Sequence, residues 1–110
     1  MKDKTVIVTG GAKGIGKAIA LKFASEGANI VLNYRSTSPE EVKNEIEAMG
    51  VKCLTVQADV SNTEEAQKLV DEAIAEFGGV DVLVNNAGIT RDTLLMRMKE
   101  EDFDAVINTN

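Results

Sequence analysis

A glycine-rich segment near the start of the chain has the residue types and the spacing of a phosphate-binding turn. It reads Thr9-Gly10-Gly11-Ala12-Lys13-Gly14-Ile15-Gly16, with three glycines spaced G-x-x-x-G-x-G. Glycines allow a tight exit from a strand, a close approach of the backbone to a pyrophosphate, and close packing of the following helix. Unpaired N–H groups at the start of that helix would face the phosphates. An ordinary turn is the alternative, but the position in a first βαβ unit favours cofactor binding by residues 10–16.

A second polar segment, Asn33-Tyr34-Arg35-Ser36, ends a predicted strand and bears on the choice of cofactor. Enzymes that use NAD usually carry an Asp or Glu there, which binds the ribose hydroxyls and would repel a 2′-phosphate. This segment has no acid. Arg35 can instead form charge-assisted hydrogen bonds to a phosphate, and Lys13 can approach the same group from the glycine-rich segment. Two solvated surface cations are the alternative, but together these residues favour NADP(H).

The surrounding apolar patterns predict strands and helices that alternate along the chain. Four strands are predicted, at residues 5–9, 29–34, 52–57 and 80–85. Four helices are predicted: one at 15–24, one from a start at 38–41 to about 49, one from a cap at Ser61 or Asn62 to Phe77, and one in the tail at 99–110. The order βαβαβαβα, with right-handed crossovers, predicts an α/β fold with a doubly wound parallel sheet of Rossmann type between two helix layers.

Three of these helices carry apolar stripes that should face the sheet. In the first helix the stripe consists of Ile15, Ala18, Ile19 and Phe23. In the third helix it consists of Ala66, Leu69, Val70, Ala73, Ile74 and Phe77. In the tail it consists of Phe103, Val106 and Ile107.

The composition fits a single domain of this class and argues against several functions. The chain has 110 residues, 44% of them hydrophobic but only 4% aromatic, so aliphatic side chains must fill the interior. A net charge of −6 argues against binding to duplex nucleic acid, which requires a concentrated basic face. There is no run of 18 apolar residues and no signal-peptide pattern, so no membrane span is predicted. The single cysteine, Cys53, fits a reduced, cytoplasmic setting, and no metal site is predicted.

Three motifs that follow three predicted strands resemble those of the short-chain dehydrogenase/reductase family. They are Thr9-Gly10-x-x-x-Gly14-x-Gly16, Asp59-Val60 and Asn85-Asn86-Ala87-Gly88. The resemblance implies that Asp59 and Val60 contact the adenine of the cofactor. It also implies that Asn86, Ala87 and Gly88 stabilise the central sheet and line the adenosine ribose. A tight turn would by itself explain Asn and Gly at 85–88, but three such motifs at strand ends make coincidence a poor explanation.

A longer segment resembles one group within that family. Residues 88–98, which read GITRDTLLMRM, are similar to the corresponding part of bacterial 3-oxoacyl-[acyl-carrier-protein] reductases. The resemblance extends over the whole chain and implies NADPH-dependent reduction of a 3-ketoacyl thioester in fatty acid synthesis. It implies a substrate linked to acyl carrier protein in a full-length form. Core or interface packing is an alternative reason for the Leu and Met residues, and both explanations can hold.

The chain lacks most of the residues with which this family reduces a ketone. In the family a tyrosine supplies the proton, a lysine four residues later lowers the pKa of that tyrosine, and a serine holds the substrate oxygen. The only tyrosine here, Tyr34, is followed at the fourth position by Ser38, and we assign it no catalytic role. Asn110 matches an asparagine of the family's proton relay and is the one predicted catalytic residue.

The sequence therefore predicts that residues 1–110 are the NADP(H)-binding half of a Rossmann domain, truncated before the catalytic residues and catalytically incomplete alone. A nucleotide-binding module without turnover and a folding fragment without function are the alternatives. With four strands, the one from Val80 to Asn85 would be an apolar edge with unpaired backbone groups. We therefore expect possible self-association through the Val80–Asn85 edge.

Overall fold

A computed structural model of the chain describes residues 1–86 and 105–109. In chain order the elements are β1 (Thr5–Val8), α1 (Gly14–Ser25), β2 (Asn29–Tyr34), α2 (Glu40–Ala48), β3 (Cys53–Gln57), α3 (Thr63–Phe77), β4 (Val82–Asn85) and β5 (Ala105–Asn108). The five strands formed by these residues are all parallel and lie in one sheet, in the order β3-β2-β1-β4-β5. The predicted doubly wound parallel α/β sheet is therefore confirmed.

The sheet separates two apolar layers, because successive residues of a strand face opposite sides. On one side Ile7 and Leu83 pack with Leu69 of α3. On the other side Val6 and Leu32 pack with the inward residues of α1 and α2. β1 lies in the middle of the sheet and is buried along its whole length, which explains its unbroken β-branched sequence. The result is three layers, with the carboxyl ends of the strands at one edge of the sheet.

α3 reproduces the features that its sequence predicts. The side chain of Asn62 accepts hydrogen bonds from the second and third helical N–H groups, at 2.9 and 3.1 Å, and so caps the helix. The buried members of its stripe are Ala66, Leu69, Val70 and Ala73. Phe77 is partly buried at the far end, whereas Ile74 lies at the margin of the stripe and is exposed. None of the helices in the described part of the chain is long and apolar enough to span a membrane.

α1 turns only part of its predicted apolar face to the sheet. Its buried positions are Gly16, Ala20 and Ala24. These small residues, spaced four apart, let the helix lie close to the strands. Ile15 of the predicted face is 65% exposed, and Ala18 is exposed as well. Ile19 and Phe23 of the predicted face are partly buried against the apolar layer. The same face also lines a surface groove of about 430 Å³, whose apolar residues are Ile15, Ala18, Ile19, Phe23 and Ile107.

The predicted tail helix at 99–110 is wrong at residues 105–108, which form β5. This strand pairs with β4 in parallel register, with Val82 opposite Ala105 and Val84 opposite Ile107. Spacing of three and four residues is compatible with a helix, but Val106 and Ile107 also suit a strand, and the pairing satisfies backbone groups of β4. Val106 adds to the apolar layer under α3. The rest of the predicted helix lies outside the described residues.

The predicted edge from Val80 to Asn85 is also wrong, because β4 is paired on both sides. β1 lies along one side, with Leu83 opposite Ile7, and β5 lies along the other. Within the described residues, the sheet ends on that side with β5, which is only four residues long. Self-association by pairing of β4 edges therefore has no structural basis here.

Candidate nucleotide site

Four strand ends bring together most of the residues that the sequence singles out. The glycine-rich turn follows β1, Arg35 follows β2, Asp59 follows β3 and Asn86 follows β4. β1 and β4 are neighbours in the sheet, but the chain continues from β1 to β2 on one side and from β4 to β5 on the other, which opens a crevice between them at the carboxyl edge. In open α/β sheets ligands bind at such a point. Of the other predicted residues, Ala87, Gly88 and Asn110 lie outside the described part of the chain.

The backbone of the glycine-rich turn excludes side chains at several positions. Gly10 and Gly14 have φ values of 61° and 58°, in the left-handed region that favours glycine. A Cβ atom on Gly11 would lie 2.5 Å from Cδ1 of Leu32. A Cβ atom on Gly16 would collide with the carbonyl oxygen of Gly10. The spacing of the glycines thus reflects both the turn and the close approach of α1 to it.

The first turn of α1 has no side-chain cap. Lys13 occupies the cap position in an extended conformation, its side chain makes no capping hydrogen bond, and the first turn contains no acidic residue. The positive end of this helix is thus open, unlike that of α3, where Asn62 accepts two backbone hydrogen bonds. Free N–H groups directed at the carboxyl edge of a sheet suit an anion such as a phosphate.

Two asparagine side chains hold the Gly10 peptides from opposite sides. The N–H of Gly10 donates to Oδ1 of Asn33, at 3.1 Å. Nδ2 of Asn86 donates to the carbonyl oxygen of Gly10, at 3.2 Å. The backbone N–H of Asn86 also donates to the hydroxyl of Thr9, at 2.8 Å, and Thr109 donates to Oδ1 of Asn86, at 2.7 Å. The turn is therefore fixed before any ligand contacts it.

The sequence did not predict the role of Asn33 in this site. The lack of an acid in this segment predicts a part in the choice of cofactor, but that argument gives no role to the amide of Asn33. A polar residue directly after the apolar run Ile30-Val31-Leu32 of β2, 2% exposed in the structure, is the signal that was available. Buried amides need hydrogen-bond partners, and such partners at a strand end belong to the neighbouring loops.

Two adjacent cavities open at this edge and share Gly10 and Arg35. The smaller, of about 130 Å³, is also bordered by Asn33, Asp59, Val60 and Ser61. The larger, of about 370 Å³, is also bordered by Ala12, Lys13, Tyr34, Ser36 and Thr37. The structure thus brings Lys13 and Arg35 to one cavity, which is bordered by two cations and three hydroxyl-bearing residues.

Asp59 and Arg35 form an ion pair where the two cavities meet. Nη2 of Arg35 lies 3.5 Å from Oδ2 of Asp59. Oδ1 of Asp59 accepts hydrogen bonds from the hydroxyl and the backbone N–H of Ser61, at 2.6 and 3.1 Å. These hydrogen bonds, and to a smaller extent the charge of Arg35, hold the pKa of Asp59 below its ordinary value. Asp59 is therefore an acceptor at neutral pH, and the exposed guanidinium keeps donors free for a ligand.

Comparison with known protein families gives a match over nearly the whole chain. The family model described as short chain dehydrogenase matches residues 4–110. The 3-oxoacyl-[acyl-carrier-protein] reductase FabG of Staphylococcus epidermidis is 49% identical over 110 residues, which cover 98% of this chain and 45% of the relative. The 3-oxoacyl-[acyl-carrier-protein] reductase of Synechocystis is 50% identical over 109 residues, 97% of this chain and 44% of the relative. The chain thus spans less than half the length of these relatives.

Solved structures with the same fold include a short chain dehydrogenase from Burkholderia cenocepacia in complex with NADP. It is 40% identical, with a TM-score of 0.77, over 82% of this chain and 38% of that one. A short-chain type dehydrogenase/reductase from Mycobacterium marinum is 36% identical, with a TM-score of 0.76, over 80% of this chain and 36% of that one. At these identities the likeness extends beyond the fold to the sequence itself.

Proposed function

The chain belongs to the short-chain dehydrogenase family, and on that premise we propose that it holds NADP(H) for a reductase acting on 3-ketoacyl thioesters. The observation that carries the proposal is the larger cavity, where Lys13 and Arg35 border the space beside the uncapped start of α1. A pyrophosphate would occupy the helix start and a 2′-phosphate would meet the two cations. The NADP complex of the Burkholderia relative supports the same choice of cofactor.

The preference for NADP(H) over NAD(H) follows from the charges at the end of β2. No acid stands where one would bind both ribose hydroxyls, and Arg35 is 75% exposed in its side chain, so it can reach a phosphate without breaking a buried contact. Ser36 and Thr37 add hydroxyl donors to the wall of the same cavity. No carboxylate of the described residues borders the larger cavity, and Asp59, which pairs with Arg35 through Oδ2, borders only the smaller one.

The contribution of these residues to the reaction is to hold and orient the cofactor. NADPH, when bound, would supply a hydride to a carbonyl carbon and leave as NADP+. The Gly10 turn and the start of α1 bind its phosphates, while Asp59 and Val60 border the smaller cavity, which suits the adenine. The single tyrosine of the chain, Tyr34, borders the larger cavity, so within these 110 residues no tyrosine serves as proton donor to the ketone.

The 3-ketoacyl thioester is proposed from the relatives that share about half of their residues with this chain. A nucleotide-binding module without turnover is the second candidate, and the position of Tyr34 at the cavity of the proposed 2′-phosphate favours it for these 110 residues in isolation. An assay of NADPH oxidation with a 3-ketoacyl thioester separates the two. Turnover by these residues alone would exclude the second candidate, and binding without turnover would support it.

A calorimetric titration with NADPH and with NADH tests the cofactor proposal. We expect saturable binding with NADPH preferred. Arg35→Gln should weaken NADPH binding by about tenfold, because a charge-assisted contact to the phosphate is lost, and should leave NADH binding unchanged. Lys22→Gln is the matched control, since Lys22 is an exposed cation of α1 that pairs with Glu26 away from both cavities. Equal affinity of the wild-type chain for the two cofactors, or no binding of either, would contradict the proposal.

A further inference from the structure

Asn33 is a buried amide whose hydrogen bonds all go to the backbone of other segments. Oδ1 accepts from the N–H of Gly10, and Nδ2 donates to the carbonyl oxygens of Val56 and Ala58, at 3.3 and 3.1 Å. The residue is 2% exposed, so water does not take the place of these partners. One acceptor and two donors are used in a single arrangement, which only an amide satisfies.

These three contacts join the two parts of the proposed site. Gly10 begins the turn that faces the phosphates and borders both cavities. Ala58 immediately precedes Asp59 at the carboxyl end of β3 and borders the smaller cavity. The backbone adds to the link, because the N–H of Gly11 donates to the carbonyl oxygen of Asn33 at 2.9 Å. The turn after β1 and the loop after β3 are thus held at a fixed separation by one residue of the strand between them.

We propose that Asn33 is a positioning residue for the cofactor, which sets the place of the Gly10 turn relative to the loop that begins at Ala58. This inference rests on the proposed function. Asn86 holds the carbonyl oxygen of Gly10 from the side of β4. Loss of the Asn33 side chain removes the acceptor of the Gly10 N–H and leaves the backbone bond from Gly11 as the link on the side of β2. The turn and the adenine-side loop then no longer match the fixed distance between the phosphates and the adenine of one dinucleotide.

Asn33→Asp tests this proposal, because it replaces the amide nitrogen by an oxygen and keeps the size and shape of the side chain. The carboxylate still accepts from Gly10, but it places a negative oxygen against the carbonyl oxygens of Val56 and Ala58. The neutral acid donates one hydrogen bond and restores most of the arrangement, and burial favours that neutral form. NADPH binding by Asn33→Asp should therefore be about tenfold weaker than that of the wild type at pH 8 and should recover toward it at pH 6.

Asn29→Asp is the matched control. Asn29 begins the same strand, and its Oδ1 accepts from the N–H of Lys52 at 3.0 Å, a bond that a carboxylate also makes. The charged groups that border the cavities next to residue 33 are Lys13, Arg35 and Asp59, and they are the same in both variants. Asn29→Asp should therefore bind NADPH like the wild type at both pH values.

A readout without ligand separates failure of this inference from failure of the proposed function. In a proton–nitrogen correlation spectrum, the Gly10 N–H should shift with pH in Asn33→Asp as the new carboxyl titrates, and should not do so in Asn29→Asp. Absence of NADPH binding by the wild type would overturn the proposed function, and with it the positioning role, even if Gly10 reports the contact. Normal NADPH binding by Asn33→Asp at pH 8 would overturn the positioning role alone.

Asn33→Ser keeps the test decisive if the acidic variant does not fold at pH 8. Serine is uncharged and its hydroxyl is too short to reach all three partners. This variant should bind NADPH about tenfold more weakly than the wild type at pH 6 and at pH 8 alike, with a folded circular dichroism spectrum. Wild-type affinity in Asn33→Ser would also overturn the inference.

Discussion

Gly16 has no side chain, and the carbonyl group of Gly10 and the amide of Asn86 occupy the space that one would need. A Cβ atom there would lie 2.5 Å from Nδ2 of Asn86 and closer still to Gly10. The helix α1 can therefore approach the turn only because residue 16 is glycine, and the approach brings the start of the helix to the crevice. The site therefore depends on the absence of a Cβ atom at Gly16 as well as on the groups that would contact a ligand.

Gly16→Ala should lower the free energy of unfolding by about 2 kcal/mol, because backbone atoms cannot move aside as a flexible side chain can. Urea denaturation followed by circular dichroism measures this value. Gly79→Ala is the control, since no atom lies within 4 Å of the added Cβ atom and its φ is not in the left-handed region. That variant should be unchanged or slightly more stable. Equal stabilities of the two variants would contradict the clash at Gly16.

At the scale of the element, α3 was predictable and α1 was only partly so. The stripe of α3 combines large residues at helical spacing with a capping Asn62, and both signals act within the helix itself. In α1 the buried side consists of Gly16, Ala20 and Ala24, because close packing on the sheet selects small residues there. Gly and Ala are only weakly hydrophobic, so an apolar pattern does not identify them as the buried side of a helix. Of the large residues of that helix, Ile19 and Phe23 pack partly against the core, whereas Ile15 is exposed, so the predicted face was only partly right.

β5 could not be predicted from its own sequence. The spacing of its apolar residues is compatible with a helix, whereas its β-branched residues favour a strand. The interaction that decides between them is the pairing with β4, more than 20 residues earlier in the chain. The strand ends of the site, in contrast, were predictable because a parallel topology brings them to one edge whatever their side chains. The roles of Asn33 and of the Arg35–Asp59 ion pair were not, since they depend on the distance between loops in space.

Asn62→Ala should lower the free energy of unfolding by about 1 kcal/mol, because two N–H groups at the start of α3 lose their acceptor. Chemical denaturation of the wild type and of Asn62→Ala at the same pH measures this difference in the free energy of unfolding. Ser38→Ala is the control at the start of α2, where the hydroxyl is exposed and lies 3.5 Å from the N–H of Glu40, so that little is lost. A cost for Ser38→Ala equal to that of Asn62→Ala would show that the cap geometry does not decide stability.

At the scale of the whole molecule, the ionisation of the single thiol is linked to the stability of the fold. Cys53 begins β3 and lies in the apolar layer with Ile30 and Ile46, 9% exposed. Burial, reinforced by the charge of Glu47 and opposed by that of Lys43, raises the pKa of the Cys53 thiol to about 12. The folded chain therefore binds this proton more tightly than the unfolded chain, in which the thiol ionises near its ordinary value.

The stability that this thiol contributes should be complete below about pH 9 and should be lost as the pH rises from there towards 12. The loss should be less than about 1.4 kcal/mol per pH unit, because solvent screens part of the effect. Urea denaturation of the wild type and of Cys53→Ala at pH 8, 9 and 10 measures it. The wild type should lose stability with pH faster than the variant, and parallel curves would contradict the assignment.

The position of β1 in the middle of the sheet has a consequence for how the protein is made on the ribosome. β1 emerges before β2 and pairs with it soon afterwards, but its other neighbour is β4, with Val6 opposite Val82. At typical elongation rates the roughly 50 residues between β2 and β4 take about 2–10 s to synthesise. For that interval the nascent chain presents the open side of its most apolar strand, and molecular chaperones that bind extended apolar segments have their main opportunity there.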